Sequence, residues 1–133
     1  VNAQGGLYRN ALQAAAFQGN ESVARLLLES GAEVNTQGGL YGNALQAAAF
    51  RGHKSVVRLH LEHGAEVNAQ GGLYGNALQA AARNGNESVV RLLLERGAEV
   101  NAKGGCHGNG LKAAKKFGHE SIAQLLLSHG ADQ

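Results

Sequence analysis

One pattern of apolar and polar positions occurs four times along the 133 residues of this chain. Each copy begins with Val-Asn and a glycine-rich segment, continues with an alanine-rich run, and ends with a run rich in leucine and valine. The copies start 33 residues apart, and a fixed period of this length predicts a solenoid in which each repeat packs on its neighbours. We expect a single domain over residues 1–133, with repeats 1–33, 34–66, 67–99 and 100–132.

The second repeat shows where the first helix of each copy should lie. Asn43-Ala44-Leu45-Gln46 has the form of a capping box. In that motif the Asn43 side chain accepts a hydrogen bond from the Gln46 N–H, and the Gln46 amide reaches back toward Asn43. The helix should then run from Ala44 to Phe50, with Gly52 ending it in a left-handed conformation. Helices this short are marginal alone, so we expect stacking between repeats to stabilise them.

A second helix is predicted over Lys54–Glu62. Its apolar stripe consists of Val56, Val57, Leu59 and Leu61. His60 takes a core position that leucine occupies in other repeats, so we expect a partly buried, neutral histidine that lowers stability relative to leucine. A metal site would have to join His60 to His63 and His53, but zinc needs three or four ligands and no further ligand has suitable spacing. We therefore expect no metal and no cofactor.

Composition and charge narrow the classes of function. The formal net charge of +2 is too small to predict nucleic-acid binding. No apolar run approaches the ~18 residues of a membrane span, and no charged-then-apolar leader precedes the first repeat. The single Cys106 excludes an internal disulfide and is typical of a reducing compartment, so we expect a cytoplasmic protein. Because the chain begins at Val1 and not at Met, we expect it to be a piece of a longer protein.

Residues 42–69, with the sequence GNALQAAAFRGHKSVVRLHLEHGAEVNA, resemble an ankyrin repeat over their whole length. The family's Thr-Pro-Leu-His, Ala-Ala, Gly-His, Leu-Leu and Gly-Ala-Asp signatures have counterparts in Asn43-Ala44-Leu45-Gln46, Ala48-Ala49, Gly52-His53, His60-Leu61 and Gly64-Ala65-Glu66. The resemblance covers all four copies. It implies an all-α solenoid of four helix-turn-helix repeats joined by hairpin-like fingers. It also implies a non-catalytic module that binds other proteins through its finger tips and the concave face of its first helices.

The chain departs from the family pattern in every repeat. Asn-Ala-Leu-Gln and its variants replace Thr-Pro-Leu-His, and with it the histidine that normally ties adjacent copies together. The finger of repeat two carries Gly38-Gly39-Leu40-Tyr41-Gly42 and lacks the usual aspartate. This variant is similar to the ankyrin arrays of fungal proteins, including those that follow NACHT domains in NLR-like signalling proteins. The resemblance therefore implies a larger intracellular fungal protein.

The Leu-Tyr pair of the finger has two interpretations. The pair occurs at Leu7-Tyr8, Leu40-Tyr41 and Leu73-Tyr74. Tyrosine is a favoured interface anchor, so the pairs could contact a partner. The rings could instead cover the space left by small residues of the first helix, such as Ala44 and Ala47, because packing residues tend to recur from repeat to repeat.

Positions that vary between repeats supply the rest of the candidate surface. Phe17 and Phe50 give it an aromatic half, and the basic half consists of Arg83, Lys112 and Lys116. Such a surface would suit a partner with an apolar segment and an acidic one, and the alternative is a solvated helix face with incidental phenylalanines. The candidate partner-binding residues are Leu7, Tyr8, Arg9, Phe17, Leu40, Tyr41, Phe50, Arg51, Leu73, Tyr74, Arg83, Lys112 and Lys116.

Two features could suggest chemistry. A glycine-rich loop can hold phosphate, but such loops follow a buried strand and usually precede a Lys-Ser or Lys-Thr pair, where this chain has Asn-Ala-Leu-Gln. Cys106 and His107 could form a nucleophile and its base, but no orienting acid is evident, so we expect Cys106 to be a surface thiol. We expect the chain not to be an enzyme.

The terminal repeats differ from each other. Lys112, Lys115 and Lys116 replace Gln and Ala in repeat four, which resembles a C-terminal cap. Repeat one has no such change apart from Arg9, so its exposed face could support weak self-association. We predict a module that binds a protein or peptide. The alternative is a structural spacer or a self-assembling array with no dedicated ligand.

Overall fold

The computed structural model describes residues 11–132. In this range the helices follow one another in pairs, and a single isolated antiparallel bridge joins Gly104 and Gly108. The helices are α1 Ala11–Gln18, α2 Glu21–Glu29, α3 Ala44–Arg51, α4 Lys54–Glu62, α5 Ala77–Arg83, α6 Glu87–Glu95, α7 Gly110–Lys116 and α8 Glu120–Ser128. α3 extends one residue beyond the predicted end at Phe50. The expectation of an all-α fold is confirmed for the described residues.

The first helix of a repeat begins at an asparagine cap. The Asn43 side-chain oxygen accepts a hydrogen bond of 2.8 Å from the backbone N–H of Gln46. Asn76 and Asn109 cap α5 and α7 in the same way. Gly52 follows α3 in the left-handed conformation, with a φ of 77°. The predicted start of α3 and its glycine terminator are therefore confirmed.

The reciprocal half of the predicted capping box is wrong. The Gln46 amide does not reach back to Asn43, because its Nε2 donates to the backbone carbonyl of Ala69 in the next repeat at 3.4 Å. The glutamines at the same position of α1 and α5 make the equivalent contact, at 3.3 and 3.5 Å. A buried glutamine thus links adjacent repeats at the position where the family's histidine is missing.

Two rows of helices form the solenoid. α1, α3, α5 and α7 pack in one row, and α2, α4, α6 and α8 pack in the other. Alanine dominates the first row, where Ala47, Ala48 and Ala49 of α3 are fully buried. Such small side chains allow the helices to approach one another closely. Larger residues from both rows, such as Leu45 and Val57, belong to the main core.

The second helix of repeat two spans Lys54–Glu62, as predicted. Its buried residues are Val56, Val57, Leu59 and His60. Leu61, which was predicted on the apolar stripe, is partly buried and packs against the main core. His60 is fully buried, because it lies one turn after the buried Val56 and so faces the same side. The expected burial of this histidine is confirmed, and it is complete.

Side chains at the start of the second helices donate hydrogen bonds to carbonyl groups in the preceding repeat. These carbonyl groups lie at the end of that repeat's first helix. The ring Nε2–H of His53 donates to the carbonyl of Phe17 at 3.0 Å, and that of His119 donates to the carbonyl of Arg83 at 3.0 Å. The asparagine at this position of the third repeat donates to two such carbonyls. The last carbonyls of a helix have no partner within it, so these bonds stabilise both the helix end and the junction.

The loops that follow the second helices are joined by asparagine. Asn68 donates from Nδ2 to the carbonyl of Gly97 at 3.0 Å and accepts from the N–H of Glu99 at 2.7 Å. Asn35 and Asn101 make the same two bonds one repeat earlier and one repeat later. Each loop is therefore held to the next by a donor and an acceptor on one side chain.

Candidate interaction surface

The glycine-rich fingers stack through backbone hydrogen bonds. The N–H of Leu73 donates to the carbonyl of Leu40 at 2.8 Å, and the N–H of Cys106 donates to the carbonyl of Leu73 at 2.9 Å. Within one finger, the N–H of Gly71 donates to the carbonyl of Gly75 at 2.9 Å and closes a hairpin-like turn. The fingers thereby form a continuous row along the solenoid.

Close contact between fingers explains the glycine at position 72. Gly72 has a φ of 70°, and a Cβ atom added there would lie 2.6 Å from the backbone nitrogen of Gly42 and 2.6 Å from the carbonyl carbon of Tyr41. No larger residue fits at that separation unless one finger moves away from the other. Finger stacking therefore accounts for this glycine without a bound anion.

The tyrosines of the fingers point into the protein. Tyr41 and Tyr74 are only 9% and 8% exposed. They form a small apolar cluster with Ala47 and Ala80 of the first helices. The rings therefore cover alanine-rich helices, which agrees with the packing interpretation of the Leu-Tyr pair.

The leucines next to these tyrosines lie in solvent. Leu40 and Leu73 are 38% and 44% exposed. Cys106, which takes the same position in the fourth finger, is also exposed. The finger tips therefore present a row of apolar side chains whose neighbouring tyrosines are fixed by packing.

Aromatic rings from the fingers and from the ends of the first helices follow one another along the solenoid. The distances between successive ring centroids are 5.1 Å for Phe17–Tyr41, 5.2 Å for Tyr41–Phe50, 4.8 Å for Phe50–Tyr74, 6.4 Å for Tyr74–His107 and 5.2 Å for His107–Phe117. Separations in this range are typical of stabilising ring pairs. We call these six residues the aromatic ladder.

Two arginines lie on the aromatic ladder. The Cζ atom of Arg51 is 4.6 Å from the ring centroid of Phe17, and that of Arg83 is 4.5 Å from the ring centroid of Phe117 and close to two further rings. Arg83 also donates from Nη1 to the side-chain oxygen of Asn84 at 2.8 Å. A cation over an aromatic face is stabilised by about 0.5–2 kcal/mol. Both guanidinium groups are therefore held in defined positions at the surface.

The family of this chain follows from its match to a known repeat. The family model for ankyrin repeats, which describes three copies, matches residues 12–104 and residues 76–133. The chain belongs to the ankyrin-repeat family. A search of curated proteins found no matching relative.

Ankyrin repeats generally act as protein–protein interaction modules and are typically non-enzymatic. Cys106 is an exposed thiol, as predicted. Within residues 11–132, no helix is long and apolar enough to cross a membrane.

The ankyrin fold brings many of the predicted site residues together. Those on or beside the aromatic ladder are Phe17, Leu40, Tyr41, Phe50, Arg51, Leu73, Tyr74 and Arg83. Lys112 is exposed and lines a cleft with Lys103, Lys115 and Asp132, near the last described residue. The predicted residues Leu7, Tyr8 and Arg9 lie outside the described residues.

The ladder continues into the fourth ankyrin repeat through Phe117 and through His107, which the sequence analysis did not assign to the site. His107 occupies the finger position of tyrosine and stacks on Tyr74 with an interplanar angle of 15°. Alignment of the repeats could have shown this, because His107 is in register with the tyrosines. Burial, followed by the charges of Lys116 and Arg83, lowers the pKa of His107.

The histidines of the second ankyrin repeat do not converge on a common ligand. His60 donates from Nδ1 to the carbonyl of Val56 at 2.9 Å, and His53 and His63 each bond to a different backbone carbonyl. Burial lowers the pKa of His60, the bond to Val56 opposes this lowering, and the nearby His63 lowers the pKa as well. No group of three or more His, Cys, Asp or Glu side chains that could hold a metal ion occurs in residues 11–132.

Proposed function

We propose that this chain is a non-catalytic module that binds a protein or peptide through its finger tips and the adjacent face of its first helices. The exposure of Leu40 and Leu73 beside the buried Tyr41 and Tyr74 carries the proposal. Burial of apolar surface favours association, and exposed apolar rows with polar surroundings are typical of interaction sites.

The fixed side chains around these leucines support the same surface. Arg51 and Arg83 rest on aromatic rings, and the tyrosines are held by the alanine-rich helices. Binding to side chains that are already ordered loses less conformational entropy than binding to mobile ones. The side chains of this surface are therefore suited to contact a partner without rearranging.

We further propose that the chain is part of a larger intracellular fungal protein. The resemblance of its Gly-Gly-Leu-Tyr-Gly finger to fungal ankyrin arrays supports this origin. The free thiol of Cys106 fits a reducing compartment.

The exposed leucines are the appropriate residues for a test. Phe17 and Phe50 pack against the tyrosines of the ladder, so their truncation would also reduce stability. The double variant Leu40→Ser, Leu73→Ser removes apolar surface from the finger tips and should leave the packing of the ladder intact. Leu26→Ser is the matched control, because Leu26 is an exposed leucine on α2.

The experiment compares proteins that the immobilised chain captures from a fungal cell extract. The wild type and the Leu26→Ser control should retain the same captured proteins, quantified by mass spectrometry. The double variant should lose them at an unchanged melting temperature. Capture that survives the double substitution would show that the finger tips are not the binding surface.

A self-assembling array is the second candidate function. Val23 and Leu26 of α2 are 41% and 63% exposed, whereas the equivalent Val56 and Leu59 of α4 are buried against α2 and its neighbours. This exposed face could pack on a second copy of the chain. Light scattering during size-exclusion chromatography tests it: a concentration-dependent increase in mass that Leu26→Glu abolishes would support assembly, and a monomer at all concentrations would exclude it.

A further inference from the structure

Charge is divided unequally between the two halves of every repeat. The fingers and first helices, within residues 1–20, 34–53, 67–86 and 100–119, contain no Asp or Glu. They carry seven of the twelve Lys and Arg residues. All ten acidic residues lie in the second helices and the loops that follow them. The small net charge of the chain therefore combines a basic side with an acidic side.

Three cations of the basic side lie on or near the aromatic ladder. Arg51 rests on the ring of Phe17, Arg83 lies among three rings, and Lys116 lowers the pKa of the ladder residue His107. In the described part of the chain, none of the three cations forms an ion pair, whereas α2 and α6 each contain one. These positive charges are therefore uncompensated within residues 11–132.

Arg83 retains hydrogen-bonding capacity for a ligand. A guanidinium carries five N–H donors in a fixed plane. Nη1 of Arg83 donates to Asn84, and its Nε is buried without a partner among the described residues, so Nη2 and the second hydrogen of Nη1 are the donors left for a ligand. A guanidinium that is held in place and still has free donors is well suited to a carboxylate, which it can bind through two parallel hydrogen bonds.

The distance between adjacent repeats sets the distance between the groups of a partner that could bind these cations. Arg83 and Lys116 occupy the same position in successive first helices, α5 and α7, and packed helix axes are about 8–10 Å apart. Three residues of an extended polyproline-type peptide span about 9 Å and return to the same face. A peptide that lies across the helices would therefore place every third side chain at successive repeats.

We infer that the partner is an acidic peptide segment that lies along the aromatic ladder and places carboxylates three residues apart against Arg83 and Lys116. Arg51 of the second repeat, one position beyond the register of Arg83, adds a further positive charge beside the ladder. This inference rests on the proposed binding function and specifies the chemistry of the partner. Nucleic acid fits less well, because single strands need exposed ring faces for stacking, and Tyr41 and Tyr74 are covered by neighbouring groups.

The test is a selection of displayed random peptides on the immobilised chain at physiological ionic strength. Recovered peptides should contain more Asp and Glu than the starting library, with an excess of acidic pairs at positions i and i+3. Synthetic copies should bind the wild type about tenfold more tightly than the Lys116→Gln variant. Arg83→Gln should have a similar effect, and Lys116→Gln keeps the test valid if Arg83→Gln is unstable, because Lys116 is exposed.

Arg58→Gln provides the matched control. It removes the same charge from an exposed position of α4, on the second row of helices, and should leave peptide affinity unchanged. Loss of affinity in Arg58→Gln equal to that in Lys116→Gln would indicate a general effect of net charge and would overturn the inference.

The other outcomes separate this inference from the proposed function. Peptides that depend on Leu40 and Leu73 but are neutral or basic, or that lack the i, i+3 pairs, would overturn the acidic partner and leave the binding module intact. A labelled single-stranded oligonucleotide that displaces the acidic peptides with higher affinity would also overturn it. Recovery of no peptide that depends on this surface would contradict both proposals.

Discussion

The imidazole of His60 donates a hydrogen bond of 2.9 Å from Nδ1 to the backbone carbonyl of Val56, one turn earlier in α4. Its second nitrogen, Nε2, is buried with no hydrogen-bond partner. α6 and α8 have Leu93 and Leu126 at this position, and both are fully buried. A buried polar atom without a partner destabilises the folded state by about 1–3 kcal/mol.

Replacement of this histidine by leucine should therefore stabilise the protein. We expect His60→Leu to raise the free energy of unfolding by about 1–3 kcal/mol, measured by chemical denaturation near neutral pH. The reverse change Leu93→His at the equivalent position of α6 is the matched variant and should lower it by a similar amount. An unchanged or lower stability of His60→Leu would contradict the core position assigned to His60.

The same histidine should make stability depend on pH. Burial lowers the pKa of His60 in the folded state, while the unfolded chain keeps an ordinary value of about 6.5. The unfolded state therefore binds the proton more readily, so the contribution of His60 is complete above pH ~6.5 and decreases as pH falls toward the folded pKa.

Unfolding at pH ~5.5 and pH ~7.5 measures this effect. The wild type should lose more stability between the two values than His60→Leu does. His107, whose pKa is also lowered, contributes in the same direction to both proteins and cancels in the comparison. Equal losses in the two proteins would show that His60 does not carry the dependence.

Gly72 should be far less tolerant of alanine than Gly64. Both glycines have positive φ, 70° and 91°, so both substitutions carry the backbone strain of about 1–2 kcal/mol. Only at Gly72 does the added Cβ meet the backbone of the neighbouring finger at 2.6 Å, since nothing lies within 4 Å at Gly64. We expect Gly72→Ala to lower the melting temperature clearly more than Gly64→Ala. Equal shifts would mean that the fingers are not in close contact.

The members of one Leu-Tyr pair should differ in their effect on stability. Tyr41 is buried and stacks between Phe17 and Phe50, so Tyr41→Ala should cost about 2–4 kcal/mol. Leu40→Ala removes an exposed side chain and should cost less than about 0.5 kcal/mol. Thermal unfolding of the two variants checks this. A large loss in Leu40→Ala would assign the leucine to packing as well.

The contribution of Asn68 to stability should depend both on its amide hydrogens and on its side-chain oxygen. Asn68→Ala removes the bonds to Gly97 and Glu99, and we expect a loss of about 1–2 kcal/mol in the free energy of unfolding. Asn68→Asp keeps the acceptor but replaces the donor with an oxygen that faces the carbonyl of Gly97, so it should also destabilise. Full stability of Asn68→Asp would show that the bond to Gly97 contributes nothing.

Local signals in the sequence predicted the helices well. The asparagine before α3 and the glycine after it are short-range capping features, and the period of α4 follows from its own residues. Leu61 packs against the core but is only half-buried, because the neighbouring repeats decide how far an apolar residue near the edge of a helical stripe is covered. Burial of His60 was predicted because other repeats have leucine in the same register.

Contacts between repeats were harder to derive. The side chain of Gln46 was expected to bond within its own helix start, but its acceptor Ala69 lies in the next repeat. The ladder role of His107 likewise depends on Tyr74, 33 positions earlier. Such partners are set by how one repeat rests on another, which a pattern read within a single repeat does not contain.

The asparagine link of Asn68 to Gly97 and Glu99 recurs at Asn35 and Asn101, and in each case it joins the loop at the start of a repeat to the loop at the end of the same repeat. Repeats two, three and four therefore each carry this link within their own residues. Recombination between near-identical copies in a gene could insert or delete a whole repeat of this kind and leave the link intact in each repeat that remains. A single recombination event could therefore change the number of repeats and the order of the residues found at the positions of Phe17, Phe50, Arg83 and Lys116.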